Sequence, residues 1–208
     1  MFIIGLTGGI GTGKTTVSAI LCELGAKIIN ADLLGHAVYK LDSDGWFKII
    51  ESFGRGILKD NSEIDREKLG EIVFKDPDAL KLLNKITHPR IYEKIEDNIR
   101  EISTIDKTAV IIVEAALLIE AGWVSLVNEL WITKSTQSHV IKRVQERSNL
   151  DTKAIQNRIK SQMNHQERAK YADVVIENNS DITELRNKVS KLWHNRLANY
   201  CKESRRQI

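Results

Sequence analysis

Gly8-Gly9-Ile10-Gly11-Thr12-Gly13-Lys14-Thr15-Thr16 fits the spacing G-x-x-x-x-G-K-[ST] and follows the apolar run Phe2-Ile3-Ile4-Gly5-Leu6. A strand that feeds a glycine-rich turn and then a helix is the context in which this spacing binds phosphate. Glycines let successive backbone N–H groups converge on the phosphate oxygens without Cβ clashes, and the helix turns its positive end toward the same anion. Gly9, Gly11, Thr12, Gly13 and Thr16 are therefore expected to line a triphosphate. Lys14 is expected to reach its β- and γ-phosphates. The Thr15 hydroxyl is the expected ligand of Mg²⁺, a small, hard cation that prefers oxygen. ATP or a related triphosphate, with Mg²⁺, is the implied ligand.

A phosphate loop alone does not name a reaction, since many chemistries share it. No N-K-x-D is present for reading guanine: Asn84-Lys85-Ile86-Thr87 lacks the aspartate. Asp32-Leu33-Leu34-Gly35 matches a GTPase switch, yet follows Lys14 too closely to leave room for the intervening switch segment. Asp32 has two other readings, and both can hold together. It is a carboxylate at the end of a predicted strand, able to accept the proton of an attacking hydroxyl. It is also a residue type that caps helices, here one starting near Leu33. Arg143 and Arg147 stand one helical turn apart and can project toward a triphosphate together, where arginine stabilises the charge of phosphoryl transfer. Arg158 and Gln162 repeat that spacing.

The elements that must hold these residues follow from periodicity. Val17, Ile20, Leu21 and Leu24 recur as a helix stopped by Gly25. Lys27-Ile28-Ile29-Asn30 is a short strand that delivers Asp32 to its carboxyl end, facing the loop. Between Ala31 and Ile105 the pattern is helical, with Asp76-Pro77 as a cap and first turn, and with His88-Pro89 expected to separate the last two helices. Such a block suits a substrate-binding subdomain. Continuous apolar runs at Ala109-Val110-Ile111-Ile112-Val113 and Glu129-Leu130-Trp131-Ile132-Thr133 predict parallel strands covered on both faces, and Val174-Val175-Ile176 a fifth. Val140–Arg147 and Thr152–Met163, separated by the turn-prone Ser148-Asn149, predict a mobile, Arg-rich lid. The last helix starts at an Asp181…Glu184 capping box and carries Ile182, Leu185, Val189, Leu192, Trp193 and Leu197 along one face.

With 208 residues, 42% hydrophobic, the chain can bury a sizeable core. Its formal +3 charge forms no basic stripe, so no nucleic-acid partner is expected. Lys202, Arg205 and Arg206 read as a solvated tail. No apolar run reaches the ~18 residues a membrane span needs, and no cleavable leader precedes the first strand, so a cytoplasmic protein is expected. Cys22 and Cys201 give neither a disulfide framework nor zinc spacing, and the five histidines lack the spacing of a metal site.

Taken together the motifs resemble those of the dephospho-CoA kinases. The likeness runs through Gly5–Thr16, Asn30-Ala31-Asp32, Ile86-Thr87-His88-Pro89, Leu117-Leu118-Ile119-Glu120, Arg143…Arg147, Arg158…Gln162 and Ala172–Asn178. The resemblance implies an α/β fold of phosphate-loop (P-loop) kinase type. Its five-stranded parallel sheet is flanked by helices (core about 1–31, 106–138 and 172–208), with a helical substrate subdomain (about 32–105) and a lid (about 139–171). It implies transfer of the ATP γ-phosphate to the ribose 3′-hydroxyl of dephospho-CoA by a monomer. Asp32 would be the base, and Lys14, Arg143 and Arg147 would hold phosphates. Asn178 would lie beside adenine, and His88 and Glu120 on the substrate side. Two departures stand out. Asn30 occupies a position where many members carry aspartate. Ala116-Leu117-Leu118-Ile119-Glu120 replaces Pro-Leu-Leu-Phe-Glu, within a run closer to the kinase half of the bifunctional eukaryotic CoA synthase. Pattern alone leaves open another small-molecule kinase of similar architecture, or a nucleotide-dependent interaction module.

Overall fold

The computed structural model describes residues 1–148 and 151–204. Asn149, Arg205 and Arg206 lie outside the described residues, as do the side chains of Cys201 and Lys202. Backbone packing divides the chain into two compact units, Met1–Ile29 with Ile99–Ile208, and Asn30–Asn98.

The first unit is built on a parallel sheet of β1 (Phe2–Gly8), β2 (Lys27–Asn30), β3 (Val110–Glu114), β4 (Glu129–Lys134) and β5 (Val174–Glu177), in the order β2-β3-β1-β4-β5. Central β1 pairs Ile4 with Ile112 of β3 and Leu6 with Trp131 of β4. All of β3 and most of β1 and β4 are buried, as expected for parallel strands covered on both faces. β5 departs from that expectation. Its residues alternate buried and exposed, with Val175 at 41% exposure, because an edge strand here is covered on one face only.

α1 (Lys14–Glu23) and α9 (Ile182–Ser204) close one side of the sheet, packing Val17, Ile20, Leu21, Leu185, Val189 and Leu197 against Ile4, Leu6 and Trp131. Gly25 stops α1: its left-handed φ of 106° lets its N–H bond the Cys22 carbonyl at 2.9 Å. At the start of α9 the Asp181 carboxylate accepts from the Glu184 N–H at 2.9 Å. Ile182 is 54% exposed, so the buried stripe begins one turn later than its sequence suggests, at Leu185.

α6 (Gln137–Arg147), α7 (Thr152–Lys160) and α8 (His165–Ala169) follow β4. Val140, Val144 and Ile155 form their own apolar cluster, and Ile10 of the glycine loop packs into it. α7 stops at Lys160, so Gln162 lies beyond the helix and does not continue the face of Arg158.

The second unit is helical. α2 (Ala31–Val38), α3 (Asp44–Phe53) and α4 (Arg66–Lys75) are capped by Asn30, Ser43 and Asp65 respectively. α5 (Pro77–Ile105) starts with two N–H groups donated to Asp76, the capping arrangement that Asp76-Pro77 suggests. Trp46, Ile49, Ile57, Leu69, Val73, Leu83 and Ile86 form this unit's core.

A further expectation fails. His88-Pro89 does not separate two helices; α5 runs through it, with Pro89 inside. A proline in a helix interior costs about 3 kcal/mol or more through its missing N–H and ring clash. Burial of Leu83, Ile86, Ile91 and Ile95 at helical spacing offsets that, at roughly 1.5–3 kcal/mol for each large side chain.

Candidate active site

The glycine loop joins buried β1 to α1, so the chain must reverse within a few residues. Gly13, immediately before α1, has φ 96°, in the left-handed region. A Cβ there would lie 2.1 Å from Asn178 Nδ2, so the position requires glycine on two counts. Thr12 is 8% exposed, and its Oγ1 bonds the Gly9 carbonyl at 2.8 Å and Thr133 Oγ1 at 2.7 Å. The loop is thus clamped from the end of β4. Lys14 Nζ donates to the Gly8 carbonyl at 2.8 Å, curled over its own loop.

A cavity of about 510 Å3 opens on this loop, with Lys14, Thr15, Thr16, Arg143, Arg147 and Gln162 among its lining. That volume lies within the range of small-molecule sites. Arg143 and Arg147 both come from α6, one turn apart, and bring two guanidinium groups to the cavity that holds Lys14. Arg143 Nη2 also donates to Asn178 Oδ1 at 3.2 Å, while Asn178 Nδ2 donates to the Thr12 carbonyl at 3.0 Å. Asn178 is 5% exposed, and through it loop and arginine share one buried amide. A smaller recess of about 140 Å3 lies beside it, bounded by Gly13, Thr16, Arg143, Ser180 and Ile182.

Thr15 Oγ1 donates to Glu114 Oε1 at 3.2 Å. Glu114 is 4% exposed at the carboxyl end of β3. The sequence motifs do not single out this carboxylate. The rule that singles out Asp32, an acidic residue ending a parallel strand, would have found it. The oxygen-only pair suits a hard divalent cation.

Asp32 lies in the first turn of α2 and is exposed. It is not the cap. Asn30 caps, its Oδ1 accepting the Leu33 N–H at 3.0 Å, which leaves the Asp32 carboxylate free of that duty. His88 is half-buried on α5, and burial pushes its imidazole below the usual histidine value. Arg158, which sequence spacing pairs with Gln162, is exposed and not among the cavity lining.

Sequence reasoning missed Arg168 entirely. Its guanidinium is 1% exposed on α8, a charge no periodic pattern marks as interior. Nη2 donates to Glu120 Oε1 at 3.0 Å and to the Met163 carbonyl at 3.4 Å; Nη1 reaches the Ala116 carbonyl at 3.4 Å and Thr7 Oγ1 at 3.5 Å. Burial pushes this guanidinium down from its ordinary value, and Glu120 opposes the shift. Glu120, expected on the substrate side, is thereby also the counter-ion of a buried arginine.

A family model of dephospho-CoA kinase matches residues 2–184. A dephospho-CoA kinase of Dehalococcoides mccartyi is 43% identical over 95% of this chain and 98% of its own length. Among solved structures, a dephospho-CoA kinase from Campylobacter jejuni superposes with TM-score 0.68 at 30% identity, over 91% of this chain and 94% of that one. TT1252 from Thermus thermophilus gives TM-score 0.78 at 26% identity, over 93% and 97%. With the family model matched over residues 2–184 and a relative 43% identical over 95% of the chain, the chain belongs to the dephospho-CoA kinase family.

Proposed function

We propose that this chain transfers the γ-phosphate of ATP to the ribose 3′-hydroxyl of dephospho-CoA, releasing ADP and coenzyme A, the last step of coenzyme A synthesis. The family match over residues 2–184 carries this reading. The loop cavity, with Lys14, Arg143 and Arg147 on its wall, supports it independently as a place for a triphosphate.

In this reading the amides of Gly9 and of Gly11 to Thr16 cradle the phosphates, and Lys14 turns from the Gly8 carbonyl to the β- and γ-phosphates. Arg143 and Arg147 meet the charge that spreads over the equatorial oxygens during transfer. Asn178 and the recess beside it take the adenine. Asp32 accepts the 3′-hydroxyl proton as that oxygen forms its bond to the γ-phosphorus and the bond to the ADP oxygen breaks. Its exposure on the first turn of α2 leaves it accessible to an acceptor. His88 and the outer edge of Glu120 complete the acceptor contacts. Thr15 and Glu114 would hold Mg²⁺ through their side-chain oxygens. The ion would supply positive charge that offsets the charge of the phosphates.

The working form is a cytoplasmic monomer with ATP and dephospho-CoA as its soluble partners. No helix among the described residues is long and apolar enough to cross a membrane. An ADP-release assay tests the reaction. Turnover with dephospho-CoA, but not with adenosine or shikimate, is expected. Turnover confined to another acceptor, or to none, would remove the assignment.

A further inference from the structure

The loop depends on where its N–H groups point, and one of them is not offered to a phosphate. The Ile10 N–H donates to Gln162 Oε1 at 2.8 Å, across 152 residues of sequence. Gln162 belongs to no helix. It follows the last turn of α7, where its own N–H closes on the Ile159 carbonyl at 3.3 Å. Its neighbour Met163 is held by Arg168, whose other contacts are Glu120, the Ala116 carbonyl and Thr7 Oγ1, just ahead of the loop. The Ile10 side chain is gripped too, among Val140, Val144 and Ile155.

We infer that Gln162 is a positioning residue for phosphoryl transfer: its neutral carbonyl, anchored through Met163 and Arg168, fixes the Ile10 peptide and so holds the loop in its anion-binding form before nucleotide arrives. This rests on the reading of the loop as the ATP site, not on the identity of the acceptor. A peptide fixed in advance costs nothing to order at the moment of binding. An amide side chain suits the role because it accepts a hydrogen bond while adding no negative charge to a cavity that receives phosphates. Glutamate would accept the same bond and repel the ligand. Leucine would fill the space and leave the Ile10 N–H without this acceptor.

Three measurements on the full chain separate this from a packing role: amide exchange at Ile10 without nucleotide, equilibrium MgATP affinity, and kcat with KM for dephospho-CoA. Gln162→Leu is expected to lose Ile10 protection and weaken MgATP about three- to tenfold, the worth of one neutral hydrogen bond. Gln162→Glu is expected to keep the protection yet weaken MgATP by about a further tenfold, a loss that shrinks as salt is raised. KM for dephospho-CoA stays within twofold of wild type in both. Gln166→Leu, at an exposed position of α8, is the control and leaves all three unchanged. Arg168 is avoided as a first test because an emptied buried charge site can prevent folding. Unchanged Ile10 exchange in Gln162→Leu, or MgATP affinity within twofold of wild type in both variants, would overturn the inference. Wild-type binding of MgATP without turnover of dephospho-CoA would instead overturn the proposed reaction and leave the role of Gln162 standing.

Discussion

At the scale of single residues, the chain separates duties that sequence leaves entangled. Asp32 reads from sequence as base and as cap; the fold gives the cap to Asn30, two residues earlier. Aspartate at that position would cap as well, so Asn30 keeps the helix start without adding a charge. Asn30→Ala should therefore cost about 1 kcal/mol in thermal unfolding and Asn30→Asp almost nothing, whereas equal losses would refute the capping role. His88 carries a pH signature. Burial lowers its folded pKa, so below the ordinary histidine value of about 6.5 the unfolded chain takes up a proton that the folded chain resists. The stability attached to a neutral His88 is present above that value and is lost as pH falls through it. His88→Gln should flatten the fall of Tm between about pH 7 and pH 5; an unaltered slope would remove His88 as its source. Arg168 and the Gln162 contact were not legible, nor was the pairing of Glu114 with Thr15. A buried charge is recognisable only from its partners, and those partners are brought together by folding from distant stretches.

At the scale of elements, legibility follows burial on two sides. β1, β3 and β4 stand where their continuous apolar runs place them, since a strand covered on both faces has no polar face to blur the pattern. The glycine loop was legible because its spacing is itself a backbone requirement, and Gly13 shows how strict that is. Gly13→Ala would need a left-handed alanine and displace the Asn178 amide from the Thr12 carbonyl. Its expected effect is a loss of MgATP affinity of tenfold or more, measured by calorimetry, and affinity within twofold of wild type would contradict the clamp. Where reading failed, a local rule met a stronger tertiary one. The His88-Pro89 break was overridden by the buried stripe of α5. The α7 face of Arg158 and Gln162 ended early, because the chain leaves the helix to carry Gln162 to the loop.

At the scale of the molecule, labour divides along the chain. The unit of Met1–Ile29 and Ile99–Ile208 holds the glycine loop, its arginines and the Thr15–Glu114 pair, while Asn30–Asn98 carries Asp32 and His88. The family match runs through both, as expected if nucleotide and acceptor are each recognised by a dedicated part. The proposed reaction requires Asp32 to serve the acceptor hydroxyl and not the nucleotide. Its most direct test is MgATP affinity and turnover of dephospho-CoA measured side by side on wild type and Asp32→Asn. Affinity within twofold of wild type is expected, with a kcat lower by about 10²- to 10⁴-fold, the range of a positioned general base. Turnover at the wild-type rate, or a loss of activity that tracks a loss of MgATP binding, would contradict it.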